Sequence, residues 1–223
     1  MLGGTPGETR IGASFAWPFR GRWQAKWAVG LALVALMPVT FVLVLGYAVD
    51  ATDSASEHRG QGPPPWRLRR IYAAGRWMAL ALALLSAPFA LALIPLSNAI
   101  HSPGLWHSAG ALLDFEALVG AALLLALPWG IVLLLLMPHA TARFATTRQA
   151  RHLFDFPASL RSVRRDFASW NIAVAAIVTA WALGVACVGL LCVGLVPGIF
   201  YAILVSAHAT ATLHPEGTDS SSR

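Results

Sequence analysis

Charge is scarce in this sequence. Asp, Glu, Lys and Arg make up only 12% of its 223 residues, about half of their share in an average soluble domain. Four stretches have none of them, and each exceeds the roughly 20 residues with which a helix crosses the bilayer core; they are residues 27–49, 77–113, 117–142 and 167–215. The composition excludes a disordered chain and an ordinary soluble enzyme. It predicts an all-α polytopic membrane protein.

Cysteine is scarce as well, and the sequence contains no recognisable catalytic motif. The two cysteines are Cys187 and Cys192, and five residues of helix turn such a pair apart by about 140°. We therefore expect two small buried side chains without a bridge. Zinc-ligand spacing, a nucleophile elbow, a phosphate-binding loop and a metalloprotease helix are all missing. From these absences we expect no enzyme activity, no cofactor, no metal and no nucleic-acid partner.

One loop does gather side chains of metal-binding types. His101, His107, Asp114 and Glu116 lie close together in the sequence, ahead of the third apolar segment. A metal or acid–base site is one interpretation of these four residues. We favour the other, a polar loop whose two acids cap the next helix, because a helix N-terminus attracts negative charge.

Proline divides the apolar part of the chain. It removes a backbone hydrogen bond and kinks a helix, so we expect helix breaks at Pro38, Pro128 and Pro197. The last apolar stretch, 172–205, would be about 51 Å long as a single helix, which is too long for one crossing. We therefore expect one membrane domain at 27–213, a bundle of about four or five membrane helices with proline-broken first and last segments. Its segments are 27–49, 77–96, 117–137, 172–195 and 198–213.

The two ends of the chain are polar. Residues 15–27 interleave tryptophan with arginine and lysine, which is typical of a segment at headgroup depth. We interpret residues 1–26 as a cytoplasmic aromatic-basic tail. Residues 214–223 are expected to form a disordered polar tail.

Basic residues are unevenly distributed between the connectors. Connectors 50–76 and 139–170 carry five and six arginines, whereas loop 97–116 carries no Lys or Arg. The positive-inside rule therefore predicts that both connectors are cytoplasmic. Segment 27–49 either dips into the membrane and returns at Pro38 or crosses it with the N-terminus outside. We favour the re-entrant arrangement, which keeps the basic residues of the tail and of both connectors inside.

The second connector contains a basic amphipathic stretch. Apolar residues recur at three- and four-residue spacing on one helical face, namely Leu160, Val163, Phe167 and Trp170. Two arginines point away from that face and a third flanks its boundary; these are Arg161, Arg165 and Arg164. Such a helix is expected to lie in the membrane plane with its cations over anionic headgroups. The alternative is a solvated basic helix that continues into the next span.

The order of these features resembles a family of bacterial and archaeal membrane proteins, domain of unknown function 4013. The resemblance is carried by PFRGRWQAKWAVG, MPVTFVLVLGY, PPPW, HLFDFPASLRSVRRDFASW and PGIFYAILVSAHA, which begin at residues 18, 37, 63, 152 and 197. The chain departs from the family pattern at Arg67, Arg69 and Arg70, where acidic residues would be expected. The resemblance implies a multi-helix membrane protein without an assigned chemistry, in the plasma membrane of a prokaryotic cell.

Two classes of function remain. The first is a non-catalytic scaffold, assembly factor or subunit of a membrane complex, with membrane-protein partners and anionic lipid around it. The second is a transporter or channel for a small or lipidic substrate, with its path built around the broken helices. A pore needs a polar stripe on at least two helices, and Ser86, Thr179 and Ser206 are too few to form one. We therefore favour the first class.

Overall fold

The computed structural model describes residues 12–21, 23–57, 62–100, 109–187 and 194–213. All regular structure in these ranges is helical, with short 3-10 turns at Trp17–Phe19 and Ala150–Leu153. The α-helices are α1 (Trp23–Ala35), α2 (Phe41–Glu57), α3 (Leu68–Ile100), α4 (Ala109–Thr147), α5 (Phe156–Arg165), α6 (Phe167–Ala186) and α7 (Leu195–Ala211).

Three stretches of helix in the described part of the chain are long and apolar enough to cross a membrane. They are Leu68–Leu91 in α3, Phe115–Thr147 in α4, and the whole of α6. Helix α7 is apolar as well, but it has 17 residues. The all-α membrane architecture expected from composition is therefore confirmed.

The first apolar segment forms two helices. Helix α1 ends at Ala35, residues 36–40 form turns around Pro38, and α2 runs from Phe41 to Glu57. Helix α2 thus continues well beyond the expected end of the segment at residue 49. Helix α3 in turn begins at Leu68, ahead of the expected residue 77. Most of connector 50–76 is therefore helical, and its charged residues are held on helices.

The helix breaks expected at Pro128 and Pro197 are wrong, because both prolines lie within helices. Helix α4 is continuous through Pro128, which a membrane helix tolerates when local adjustment satisfies the freed backbone groups. In the last apolar stretch, α6 ends at Ala186 and α7 begins at Leu195. Pro197 lies in the first turn of α7, where a missing N–H breaks no helical bond. Cys187 is a partly exposed free thiol, and Cys192 lies outside the described residues.

The chain forms two compact units. Unit one comprises Met1–Ala79 and Leu136–Arg223, and unit two comprises Leu80–Leu135. In unit one, α7 packs against α6, α2 and α1. The core of unit one includes Trp17, Tyr47, Ile71, Phe200 and Leu204.

Glycines permit the closest helix approaches in unit one. A Cβ on Gly184 would lie 2.9 Å from the Gly198 carbonyl oxygen, so α6 and α7 touch backbone to backbone at this point. Between α2 and α3, a Cβ on Gly46 would overlap the Ile71 carbonyl, and one on Gly75 would overlap the Val42 carbonyl. Such contacts without side chains are typical of helices that associate in membranes.

The segment before α1 packs on α7. Trp17 is fully buried, and its ring lies 5.3 Å from that of His208. Ser14 and His208 share a hydrogen bond of 2.9 Å between Oγ and Nδ1, and the Tyr201 hydroxyl donates to the Phe15 carbonyl at 3.1 Å. The Trp17 ring is thus part of the protein core, because α7 offers it a larger apolar contact than the headgroup region expected from the sequence.

In unit two, α3 and α4 are joined by one side-chain hydrogen bond that reaches from helix to helix. The Trp129 Nε1 donates to the Leu85 carbonyl at 2.8 Å. Many large apolar side chains of this unit are exposed, among them Leu84, Leu91, Leu124, Leu127 and Ile131. Unit two therefore presents an apolar surface to its surroundings.

Candidate functional site

Helix α2 carries two buried carboxylates in unit one. Asp50 and Asp53 are 4% and 6% exposed, and their spacing of three residues places them on the same helical face. The helix persists around them because Tyr47, Ala51 and Ala55 on neighbouring positions belong to the core. Buried carboxylates in a membrane protein are costly unless they are paired, so their partners decide what they do.

Two arginines from distant parts of the chain pair with both carboxylates. The Arg70 Nε lies 2.7 Å from the Asp50 Oδ1, and its Nη2 contacts Asp53. The Arg148 Nη2 lies 2.9 Å from the Asp50 Oδ1 and 2.9 Å from the Asp53 Oδ2. We call Asp50, Asp53, Arg70 and Arg148 the charge cluster. Its formal charges cancel, and each carboxylate contacts both arginines.

The backbone of Arg148 is held in an uncommon conformation. Its φ is +56°, a left-handed value that usually favours glycine after a helix and costs other residues roughly 1–2 kcal/mol. The Arg148 N–H donates to the Phe144 carbonyl at 2.8 Å and so closes the end of α4. The arginine tolerates this strain because the same geometry delivers its guanidinium to Asp50 and Asp53.

A second set of contacts fixes the chain beside the charge cluster. The Tyr47 ring stacks on Trp66, with centroids 3.7 Å apart, and the Tyr47 hydroxyl donates to the Pro64 carbonyl at 3.2 Å. The Trp66 Nε1 donates to the Lys26 carbonyl at 3.2 Å, and the Lys26 Nζ donates to the Pro63 carbonyl. The PPPW stretch thereby docks on α1 and α2 and sets where α3 begins with Arg70.

A half-open cleft borders the charge cluster in unit one. Its volume is about 530 Å³, and its lining includes Asp53, Glu57, Arg70, Arg76, Trp77 and Arg148. The Arg148 Nη1 is buried, with no acceptor in the described part of the chain. The lining of the cleft therefore combines arginine cations with the Trp77 ring. Of the two acids in the lining, Asp53 is already paired with Arg70 and Arg148.

The amphipathic stretch of the second connector is two helices. Helix α5 is capped by Asp155, whose Oδ1 accepts from the Ala158 N–H at 3.1 Å, and it ends at Arg165. Asp166 then caps α6 by accepting from the Ser169 N–H at 3.2 Å. The expected single helix through Leu160 and Trp170 is therefore wrong, because an aspartate is favoured as an N-cap over a helix interior.

The apolar residues of that stretch are divided between environments. Val163 is buried, Leu160 and Trp170 are partly buried, and Phe167 is exposed. The Phe167 and Trp170 rings stack with centroids 5.3 Å apart. Three arginines lie on the exposed side of this stretch, and they are Arg161, Arg164 and Arg165.

Positive charge surrounds the turn before α5. Burial, Arg143 and then Arg151 lower the pKa of His152, whereas Asp155 opposes them by raising it. Arg143 also reaches Asp155 at 3.4 Å, which ties the end of α4 to the cap of α5. The second connector thus exposes basic residues, and its acids Asp155 and Asp166 cap the helices that follow them.

The possible metal ligands of the sequence are not brought together where they are described. His101 and His107 lie outside the described residues, and Glu116 is exposed on α4. Within the described ranges, no group of three or more His, Cys, Asp or Glu side chains is arranged to hold a metal ion.

The charge cluster was missed by reasoning from the sequence. Asp50 and Asp53 follow an apolar run directly, so they were assigned to a connector. Their three-residue spacing is a helical signal, but nothing local identifies Arg148 as a partner, since it follows Asp50 by 98 residues.

Comparisons with known proteins identify a family but no individual relative. A family model described as "Protein of unknown function (DUF4013)" matches residues 30–194, which include α2 to α6 and the whole charge cluster. No curated protein and no solved structure matches the chain significantly.

Proposed function

Because this chain belongs to the DUF4013 family of proteins of unknown function, we propose its role from its own structure. We propose that it is a non-catalytic scaffold, assembly factor or subunit of a membrane complex. The observation that carries the proposal is the uncovered apolar surface of α4. In its span Phe115–Thr147, none of the most apolar window is buried within the protein.

Small residues on α4 favour a protein neighbour for part of that surface. A Cβ added at Gly120 or Gly130 would have no atom within 4 Å, so the helix backbone is accessible at both positions. Small residues let a second helix approach closely in a membrane, where packing takes the place of the hydrophobic effect. Lipid covers the remaining surface of the helix.

The geometry of the charge cluster supports a structural role for the buried acids Asp50 and Asp53. Each carboxylate already contacts two guanidinium groups. A general acid or base needs access to a substrate with which it can exchange a proton, whereas Asp50 and Asp53 are buried and occupied by the two arginines. The cluster joins α2, α3 and the end of α4, and these contacts hold the helices together.

Site-specific photocrosslinking in native membranes tests the proposal. A photoreactive amino acid at Leu124, which is 77% exposed, should give one discrete protein adduct, and Leu127 on a neighbouring face should give the same one. The matched control is Leu183 on α6, which is also exposed and should not give that adduct. Lipid adducts alone at Leu124 and Leu127 would contradict a scaffold role for α4.

We also propose that both basic connectors face the cytoplasm of a prokaryotic cell and that loop 97–116 lies outside. The support is the arginine content of the connectors. Single cysteines at Ser102 and at Arg161, which is exposed, should be tested with an impermeant maleimide after Cys187 and Cys192 are replaced by alanine. Ser102→Cys should react in intact cells and Arg161→Cys only after lysis. The reverse pattern would overturn this topology.

A further inference from the structure

The first turns of α3 present an arginine face away from the core. Arg69 and Arg76 are exposed, and Ala73 lies exposed between them. Seven residues of helix separate the two arginines by about 10.5 Å along the axis and leave them on the same side. The opposite side is buried and includes Ile71, Ala74 and Met78. The two arginines are therefore not needed for packing the helix.

These arginines differ from Arg70, which is paired with two acids. Arg70 is committed to Asp50 and Asp53. In the described part of the chain, Arg67, Arg69 and Arg76 have no carboxylate within 4.0 Å. The start of α3 therefore carries an excess of positive charge that no carboxylate of the described ranges pairs with.

Two neighbouring depressions lie along this face, and together we call them the groove. One depression of about 540 Å³ is lined by Arg67, Arg69, Arg70 and Ala73, and the half-open cleft beside the charge cluster shares Arg70 and Ala73 with it. Arg69 thus lines one part of the groove and Arg76 lines the other. The small side chain of Ala73 leaves the space between them open.

The surroundings of the groove are those of a membrane surface. Tyr72 and Trp77 are both exposed, and the Arg76 guanidinium lies 5.6 Å from the Trp77 ring centroid. Aromatic rings and arginines at the start of a span are typical of headgroup depth. Arg69 and Arg76 lie in the first third of the candidate span Leu68–Leu91, at its N-terminal end.

We propose that the arginine face binds one anionic phospholipid, with its phosphate between Arg69 and Arg76 and its acyl chains in the adjoining bilayer. Guanidinium groups suit this ligand because their planar forks bind phosphate oxygens in pairs. The unpaired charge supplies the attraction, and the aromatic rings place the site at the depth of a headgroup. Asp53 and Glu57 on the cleft wall restrict the phosphate to the arginine side of the groove.

This site differs from the basic surface of α5. The three arginines of α5 project from the exposed side of one short helix. They are suited to a diffuse, salt-screened attraction. The arginine face has walls, a stacked arginine and an adjoining span, so it should retain an individual lipid.

Native mass spectrometry of the purified full-length protein tests the proposal. Phosphatidylglycerol and phosphatidylcholine are titrated separately into delipidated protein, and the bound lipid is counted. Phosphatidylglycerol should bind the wild type with one preferred molecule. Arg76→Gln should weaken that binding about tenfold, the equivalent of losing one charge-assisted contact.

The matched control is Arg151→Gln, which removes the same charge from another exposed position and should leave lipid binding unchanged. Thermal unfolding of Arg76→Gln should also be unchanged, since its side chain is exposed. Equal losses in both variants, or no loss in Arg76→Gln, would overturn the site. A further arm adds inorganic phosphate at constant ionic strength. Displacement of the lipid would identify a site for free phosphate and overturn the lipid proposal, whereas retention supports it.

Discussion

The two units of the chain use glycine and charge in opposite ways. In unit one, a side chain on Gly46 or Gly75 would overlap a backbone carbonyl, whereas in unit two one on Gly120 or Gly130 would meet open space. Unit one also buries paired acids, and unit two exposes leucines. Unit one is therefore stabilised by its own contacts, while unit two relies on what surrounds it.

This difference between the units has a physical cause in the way helices associate within a lipid bilayer. Between helices in lipid the hydrophobic effect contributes little, so close packing and polar contacts hold helices together. Unit one has both, in its glycine crossings and in the charge cluster. We therefore expect the free energy of unfolding to depend more on contacts in unit one than on contacts in unit two.

Removal of one acid from the charge cluster should have the largest effect. Asp53→Ala leaves two guanidinium groups with a single carboxylate, and breaking a buried pair costs about 3–5 kcal/mol. Because Arg70 and Arg148 are partly exposed, we expect a loss of about 3 kcal/mol in the free energy of unfolding, measured by denaturant titration in micelles. Glu116→Ala, an exposed acid of unit two, should change it by less than about 0.5 kcal/mol. Equal losses would remove the contrast between the units.

A methyl group on a crossing glycine should have the next largest effect. Gly75→Ala must displace the Val42 carbonyl, and overpacking of this kind costs about 1–3 kcal/mol. Gly120→Ala meets nothing within 4 Å and should stabilise its helix by up to about 1 kcal/mol. The two variants should thus shift the unfolding midpoint in opposite directions. A loss at Gly120 comparable to that at Gly75 would show that α4 is already packed there.

Loss of a helix cap should have a moderate effect. Asp166→Ala removes the acceptor of the Ser169 N–H and should destabilise unit one by about 1 kcal/mol. Asp166→Asn, which can still cap, should restore most of the loss. Because the cap also separates α5 from α6, hydrogen exchange of the Ser169 amide should increase in the alanine variant only. Unchanged exchange would mean that the break does not depend on the cap.

Neutralising the exposed arginines of α5 should have the smallest effect. The triple variant Arg161→Gln, Arg164→Gln and Arg165→Gln removes charges that point away from the core. In neutral nanodiscs its stability should stay within about 0.5 kcal/mol of the wild type. In anionic nanodiscs it should lose the stabilisation that the lipid gives the wild type, and added salt should erase the difference. Identical behaviour in both lipids would leave α5 as a solvated helix.

Membrane spans were predictable because the bilayer imposes a length on apolar runs. The expected segment 77–96 lies inside α3, and 172–195 overlaps α6 over most of its length. The extension of α2 to Glu57 was not predictable from hydropathy, which assigns any charged residue to a connector. Asp50 and Asp53 are helical because of partners that lie far away in the sequence.

The break at Asp166 was missed for a different reason. Helical periodicity places Leu160, Val163, Phe167 and Trp170 on one face, but it takes no account of capping. The local signal was present, since Asp166 precedes Ser169 by three residues, the spacing of an N-cap and its partner. The lipid-facing role of Arg161, Arg164 and Arg165 stays a prediction, and the charge cluster was not predicted.

The span of sequence bridged by the charge cluster has a consequence for biogenesis. Arg70 follows Asp53 by 17 residues and Arg148 follows it by 95. At about 5–20 residues per second, a ribosome makes the first arginine within a few seconds and the second only after roughly 5–20 s. During that interval α4 is synthesised, and the two acids share one cation. Unit one therefore cannot be completed until the ribosome has passed the whole of α4, and until then Arg70 is the one arginine of the charge cluster available to Asp50 and Asp53.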